Sequence, residues 1–392
     1  MPELADVFRR YGAGYLARFG ATMLPGHRRA IHDIIDCRTE VLGGHVVQCD
    51  HCRAVDYAYH SCKNRACPKC HGNDTQKWLE KRRAEMLDCL YFHLVFTLPA
   101  ELREIVRAYQ KTLYDILLRA AAAALLKLAA DPKYVGARIG ILAVLHTWTN
   151  ALVFHPHAHF LVPGRGLTGA GEPRSARGNF LVPVKALSPI FRAKFMEMAR
   201  QALPDVQFPA EVWHKEWVVY AKPAVQGSDR VLHYLGRYVH RIAITNNRIL
   251  ACDHDQVTFR YRQRKSKEPG HWRTMTLPAT QFMARFLQHV PPRGFHKVRY
   301  YGLWSPANRE LLQRMQLPDK PETGENSGTE ADDHNRAGRP TGPCRFCRQG
   351  FMIVVAVVGP SGKSVGNLHT SRRVWHHLNK VGLRSEETPK IS

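Results

Sequence analysis

Acidic residues are scarce in this 392-residue chain. Only 33 Asp and Glu stand against 57 Lys and Arg, for a formal charge of +24. The excess is spread along the chain and points to a polyanion, nucleic acid first, while the competing reading, a cationic membrane-surface protein, lacks a long amphipathic Lys-rich helix. Long apolar runs are also missing. The purest, FMIVVAVV at 351–358, is too short for a membrane span, and LLRAAAAALLKLAA carries Arg119 and Lys127. The opening MPELADVFRR has neither the basic start nor the apolar core of a signal peptide. The expected compartment is therefore the cytoplasm, in association with the nucleoid, with no membrane partner. There the ten cysteines read as thiols or metal ligands, because disulfides do not persist in a reducing compartment. A phosphate-binding loop is lacking too: GPSGKS at 359–364 would need a glycine where Val357 stands. No internal repeat is visible.

Four regions follow from composition. Residues 1–90 read as helical and cysteine-rich, and 91–315 as alternating strands and helices. Residues 316–343 are polar and read as a flexible linker, and 344–392 form a small tail containing a Cys-x-x-Cys. Within the second region, YFHLVFTLP, ARIGILAVLHTW, ALVFHPHAHFLVPG and EVWHKEWVVYA read as strands. Helices are predicted over 76–90, 100–130, 188–202, 229–243 and 279–290. QVTFRYRQ and HWRTMTLP form a hairpin with a basic turn.

The cysteines carry the strongest spacing. Cys49-x2-Cys52 and Cys67-x2-Cys70 are separated by fourteen residues. Each pair bends two thiolates toward one ion, and two pairs complete a tetrahedral site that closes a loop too short for its own core. The spacing predicts a zinc ribbon with structural Zn²⁺ on Cys49, Cys52, Cys67 and Cys70. Cys37 and Cys62 leave the count open. Either replaces one of those thiols, or both join His45, His60 or His71 in a second site. Cys344-x2-Cys347 is half a site that either borrows distant ligands or is a remnant. Cys89 and Cys252 read as ordinary residues.

VFHPHAHFLVPG, residues 153–164, sets three histidines at alternate positions. Alternate residues of a strand share a face, so His155, His157 and His159 form one row. Pro156 predicts a sheet edge or an irregular entry. Buried imidazoles need a hydrogen-bond partner, a charge or a metal, while surface histidines would give the same pattern. Further on, RVLHYLGRYVHRIAITNNRI places Tyr234 and Tyr238 four apart on a predicted helix, with Arg237, His240 and Arg241 beside them. Phenols next to guanidinium groups suit covalent phosphoryl chemistry, and a helix that simply buries two tyrosines has the same spacing. A second pair, Tyr11 and Tyr15, straddles Gly12 and Gly14 and reads as packing. In FRYRQRKSKEPGHWR, six Lys and Arg accompany one Glu, with Phe259, Tyr261 and Trp272 interleaved. Arg260, Arg262, Arg264 and Lys265 there suit a single strand of DNA through phosphate contacts and stacking, or else mark a solvated hairpin.

In order, SCKNRACPKC, LHTWTNALVFHPHAHFLVPGRG, YLGRYVHRIAITNNRI and GFHKVRYYGLW resemble one family over roughly residues 10–315. It is the two-tyrosine HUH transposases of the insertion sequence 91 family. The resemblance implies an α+β fold: an HUH endonuclease-like core with a mostly antiparallel sheet and flanking helices, preceded by a helical zinc-binding module. It implies a single-strand endonuclease and strand transferase that works by rolling-circle-like transposition. The histidine-hydrophobe-histidine motif falls on His157-Ala158-His159 and would bind Mg²⁺ or Mn²⁺, with Tyr234 and Tyr238 as nucleophiles and Arg237 and Arg241 contacting DNA. HUH relaxases share a His-x10-His-x-His spacing, which favours His146 over His155 as third ligand. Single-stranded DNA at the element ends and target is the implied partner, with host replication proteins a further one. Two other readings compete: a metal-dependent phosphodiesterase without covalent tyrosine, and a non-enzymatic zinc-ribbon DNA-binding protein.

Overall fold

The computed structural model describes residues 1–70, 72–83, 85–226, 236, 239, 241–262, 272–316, 340–360 and 364–367. Tyr234, Arg237, Tyr238, Arg264, Lys265 and His71 lie outside the described residues, as do most of the expected linker and the end of the chain. The chain divides into two compact units. One takes 4–21, 28–70 and the described residues beyond 322; the other takes 1–3, 22–27 and 71–321.

In chain order, the first unit contributes helices α1 (Leu4–Phe19) and α2 (Pro25–Asp36), then strands β1 (Gly44–Cys49) and β2 (Val55–Tyr59). The second begins with α3 (Gly72–Arg83), β3 (Leu90–Thr97), α4 (Arg103–Ala108) and α5 (Gln110–Ala129). It continues with β4 (Arg138–Trp148), β5 (Phe154–Pro163), β6 (Arg165–Leu167), β7 (Pro173–Ser175), α6 (Val184–Ala202), α7 (Glu211–His214) and β8 (Val219–Gln226). Strands β9 (Ile249–Asp253), β10 (Gln256–Arg262) and β11 (Trp272–Pro278) follow, then α8 (Ala279–Leu287), β12 (Val298–Gly302) and α9 (Arg309–Gln316). The chain returns to the first unit with β13 (Pro340–Pro343), β14 (Phe351–Val358) and β15 (Ser364–Asn367). The fold is a mixture of helices and antiparallel sheets, as expected from the sequence.

The main sheet has strand order β7-β6-β4-β5-β3-β8, with β12 also paired to β4. Both of its faces are covered, which is why β3, β4 and β5 read as nearly continuous apolar runs. On one face Phe92, Leu94, Phe96, Ile141, Ala143, Leu145, Ala158 and Phe160 pack against Leu113, Leu117 and Ala121 of α5 and Phe191 and Phe195 of α6. The period of two then puts His93, His146, His157 and His159 on the opposite face. That face continues into a second core of Tyr91, Leu142, Val144, Leu161 and Val239.

Three departures from the sequence reading have local causes. Pro156 is not at an edge, since β5 lies between β4 and β3. The β4–β5 ladder shifts register between His146↔His157 and Trp148↔Phe154, and Pro156 occupies that irregularity, where it owes no ladder hydrogen bond. Residues 211–214 are helical rather than the start of a strand. Buried Trp217 turns back so that its Nε1–H donates to the Val212 carbonyl at 2.9 Å, and the strand begins only at Val219. Finally, the tail is not a separate piece. β14 pairs antiparallel with β1 along its whole length, from Gly44↔Val358 to Cys49↔Met352. The sheet order there is β13-β14-β1-β2, with β15 on β14. Its apolar run needs a covered surface and finds one, because Ala356 and Val358 bury against Val46.

Candidate active site and cysteine clusters

His146 on β4 sits directly opposite His157 on the neighbouring β5, and His159 follows on the same face two residues on. One ring nitrogen from each of His146, His157 and His159 lies within 4.8 Å of the others. His155 does not join this group, although its ring centroid is 5.4 Å from that of His157. It instead receives a hydrogen bond from the Arg103 guanidinium on α4 at 3.4 Å.

The hydrogen bonds define which nitrogens face the cluster. His157 donates its Nδ1–H to the His155 carbonyl at 2.7 Å, which leaves the Nε2 lone pair for a ligand. His159 Nδ1 lies 2.9 Å from Nε2 of His93 on β3, and the two rings stack at 5.2 Å. Burial first, and the nearby Lys222 second, lower the His93 pKa to about 4. A neutral His93 can accept the Nδ1–H of His159, and in that tautomer Nε2 of His159 also keeps its lone pair. The His159 pKa is lowered well below the usual value, by burial first and then by His146, His157, His93 and Arg241. His146 stacks on Trp148 at 4.6 Å. Three imidazoles at this spacing are a donor set suited to a divalent transition ion such as Mn²⁺, and less so to Mg²⁺. The sequence reading missed His93. In YFHLVFT it is a lone histidine in an apolar strand, and only the β3–β5 pairing brings it to His159.

A basic cluster surrounds the β4–β5 turn. Arg241 approaches Asn150 Oδ1 at 3.5 Å, and Lys297 donates to the Arg241 carbonyl at 3.1 Å. Arg248 donates to the carbonyls of Arg260, at 2.9 Å, and of Asn150. Burial, with Arg241 and Arg260 nearby, lowers the Arg248 pKa to about 10. Among the expected DNA contacts, Arg260 and Arg262 place their guanidinium carbons 4.9 and 5.2 Å from the Trp272 ring centroid. Trp272 is 43% exposed. That combination of cations around an open aromatic face suits phosphate contact and base stacking. Val239, which follows Tyr238 in the chain, is buried on the histidine face of the sheet.

The four cysteines expected in one zinc ribbon are divided between two clusters, and that grouping is corrected here. Cys67 and Cys70 meet Cys37 and Cys62, whereas Cys49 and Cys52 meet Cys344 and Cys347. The reason is the β1–β14 pairing, which places the distant Cys-x-x-Cys at the end of β1. Within the first cluster, Cys70 Sγ is 3.6 Å from the sulfurs of both Cys37 and Cys62. His45 and His60 pack their rings edge to face at 4.9 Å and join neither cluster.

Residues 140–311 match a family model described as a putative transposase, and residues 7–98 match a transposase zinc-binding domain. The chain is 39% identical over 382 residues to the putative transposase y4qJ of Sinorhizobium fredii (strain NBRC 101917 / NGR234), spanning 91% of this chain and 95% of that protein. It is 29% identical over 305 residues to the transposase for insertion sequence element IS801 of Pseudomonas savastanoi pv. phaseolicola, spanning 72% and 70% respectively. No solved structure matches it. No helix among the described residues is long and apolar enough to cross a membrane.

Proposed function

This chain belongs to the insertion sequence 91 family of transposases, and from that premise we propose that it cuts and rejoins single-stranded DNA through a covalent 5′-phosphotyrosine. The observation that carries the reading is the meeting of His146, His157 and His159 on one sheet face, with Nδ1 of His157 on the His155 carbonyl and Nδ1 of His159 on His93 Nε2. When bound to these nitrogens, Mg²⁺ or Mn²⁺ supplies Lewis-acid polarisation of the scissile phosphate. Tyr234 and Tyr238 are the nucleophiles of this reading. The attacking phenol oxygen forms a bond to phosphorus, the bond from phosphorus to the 3′-oxygen breaks, and the phenol proton leaves as the released 3′-hydroxyl gains one. Attack of a 3′-hydroxyl on the phosphotyrosine reverses those bonds, so strand transfer needs no nucleotide cofactor.

The remaining residues bind and orient. Arg241 and Lys297 carry positive charge beside the histidines, and Arg260, Arg262, Arg264, Lys265 and Trp272 hold the strand. Two tyrosines allow donor and target strands to be attached at once. Structural zinc in the cysteine module completes the protein, and DNA at the element ends and host replication proteins are its partners in this reading. The test is cleavage of labelled single-stranded element ends in Mn²⁺. His157→Ala and His159→Ala should abolish cutting while most DNA binding survives, because binding comes from distributed charge. Equal cleavage by both variants and wild type would remove the histidines from the mechanism.

A further inference from the structure

The two ends of the chain meet in a four-sulfur site that neither end can form alone. We propose that Cys49, Cys52, Cys344 and Cys347 bind a second structural zinc, additional to one on Cys37, Cys62, Cys67 and Cys70, so that the zinc-binding module is complete only in a chain carrying its C-terminal Cys-x-x-Cys. Cys49 Sγ is 3.7 Å from Cys347 Sγ, and Cys52 Sγ is 3.7 Å from Cys344 Sγ. Tetrahedral Zn–S bonds of about 2.3 Å set thiolates about 3.8 Å apart. A disulfide needs about 2.05 Å between sulfurs, so the spacing is that of ligands around an ion.

The two turns repeat one another in their backbone. Arg53 N–H donates to the Cys49 carbonyl at 3.2 Å, and Arg348 N–H to the Cys344 carbonyl at 3.0 Å. Each arginine follows the second cysteine of its pair with positive φ, +60° at Arg53 and +56° at Arg348. Non-glycine residues adopt that region at a cost, and beyond it the Ala54 amide faces the Cys52 sulfur and the Gln349 and Gly350 amides face that of Cys347. Cys52 N–H faces Cys49 Sγ at 3.4 Å, and Phe346 N–H faces Cys344 Sγ at 3.4 Å. Four thiolates around Zn²⁺ leave a net negative charge that these amides and the adjacent arginines offset.

Gly350 shows how closely the turns are fitted. A Cβ there would lie 2.7 Å from Cys49 Sγ and 2.6 Å from His51 Cβ, and would also strike Asp50 Oδ1. Asp50 in turn receives the Phe351 N–H at 2.8 Å, while its own N–H donates to the Phe351 carbonyl at 3.0 Å. Without residues 344–358, β1 loses its β14 partner, and Cys49 and Cys52 supply only half of a tetrahedral shell.

Zinc content of the purified full-length chain tests this without reference to activity. Native mass spectrometry should give two zinc ions per chain for wild type, and one for Cys344→Ser/Cys347→Ser and for Cys62→Ser/Cys67→Ser. One zinc in wild type, or two in the Cys344→Ser/Cys347→Ser variant, would overturn the assignment. Should either variant fail to fold, native wild type decides. Alkylation mapped by mass spectrometry should spare Cys344 and Cys347 until a chelator removes zinc. Modification of that pair at the rate of Cys252 in zinc-loaded protein would equally refute the site.

Discussion

Replacing His93 with Phe keeps a flat ring of similar size in a position that is 6% exposed, and removes only the ring nitrogens. The consequence falls on His159, whose Nδ1 lies 2.9 Å from His93 Nε2. Without that acceptor, the Nδ1–H of His159 faces a phenyl ring, and an unsatisfied buried donor costs about 1–3 kcal/mol. His159 can avoid that cost by moving its proton to Nε2, but then it has no lone pair for a metal. Either route penalises the metal-ready tautomer by a similar amount, which corresponds to a loss of roughly 10–100-fold in metal affinity, as is typical for partners of ligating histidines. Titration with Mn²⁺, followed by the paramagnetic resonance of the free ion, should show that weakening for His93→Phe. His93→Gln, whose carbonyl can accept the same proton, should fall between the variant and wild type. An intact fold with unchanged Mn²⁺ affinity in His93→Phe would refute this role.

Acid should destabilise the protein through His289. Burial lowers its pKa to about 4, while the unfolded side chain titrates near about 6.5. The unfolded state therefore binds the extra proton between those values. The stability is fully present above about pH 6.5 and is lost as pH falls toward 4, by roughly 3 kcal/mol. Urea melts at pH 7.5 and 5 should show the loss, and His289→Gln should reduce it, with His93 and His159, also lowered by burial, supplying the remainder. Trp272→Ala should weaken single-strand binding by about 1–3 kcal/mol with an unchanged salt slope, whereas Arg262→Ala should lower that slope by about one; binding titrations at several salt concentrations separate the two. Phe160→Ala, fully buried 4.8 Å from the Phe96 ring, should cost about 3–5 kcal/mol in a denaturant melt.

Local patterns were readable in the sequence where their partners were near. Alternation in VFHPHAHFLVPG assigns His157 and His159 to one face, and the short TNALV connection brings β4 back beside them, so the placement of His146 was accessible from spacing. The hairpin of β10 and β11 was equally plain, with Arg262 opposite Trp272. The cysteine grouping was not readable. Nearest-neighbour spacing joins Cys49 and Cys52 to Cys67 and Cys70, while the actual companion of Cys49 lies 298 residues away. A strand pairing between chain ends leaves no periodic trace. The sign that was present was chemical: Cys344-x2-Cys347 supplies only two of the four ligands that a structural zinc takes. His93 was hidden for a different reason, since a single histidine among Phe, Leu and Val is indistinguishable from a satisfied core residue until the neighbouring strand is known.

Covalent capture of DNA most directly tests the tyrosine mechanism. Full-length protein would be incubated with end-labelled single-stranded element ends and Mn²⁺, then resolved on a denaturing gel. A phenol has a pKa near about 10 and needs an activated phosphate to attack well, so Phe substitution removes the nucleophile while keeping the ring. Wild type should yield a labelled protein–DNA adduct, each single variant, Tyr234→Phe or Tyr238→Phe, should retain one cleavage, and the double variant should yield none. Cleavage by the double variant with free 5′-phosphate ends would contradict the account, as would loss of the adduct in Tyr11→Phe or Tyr15→Phe instead.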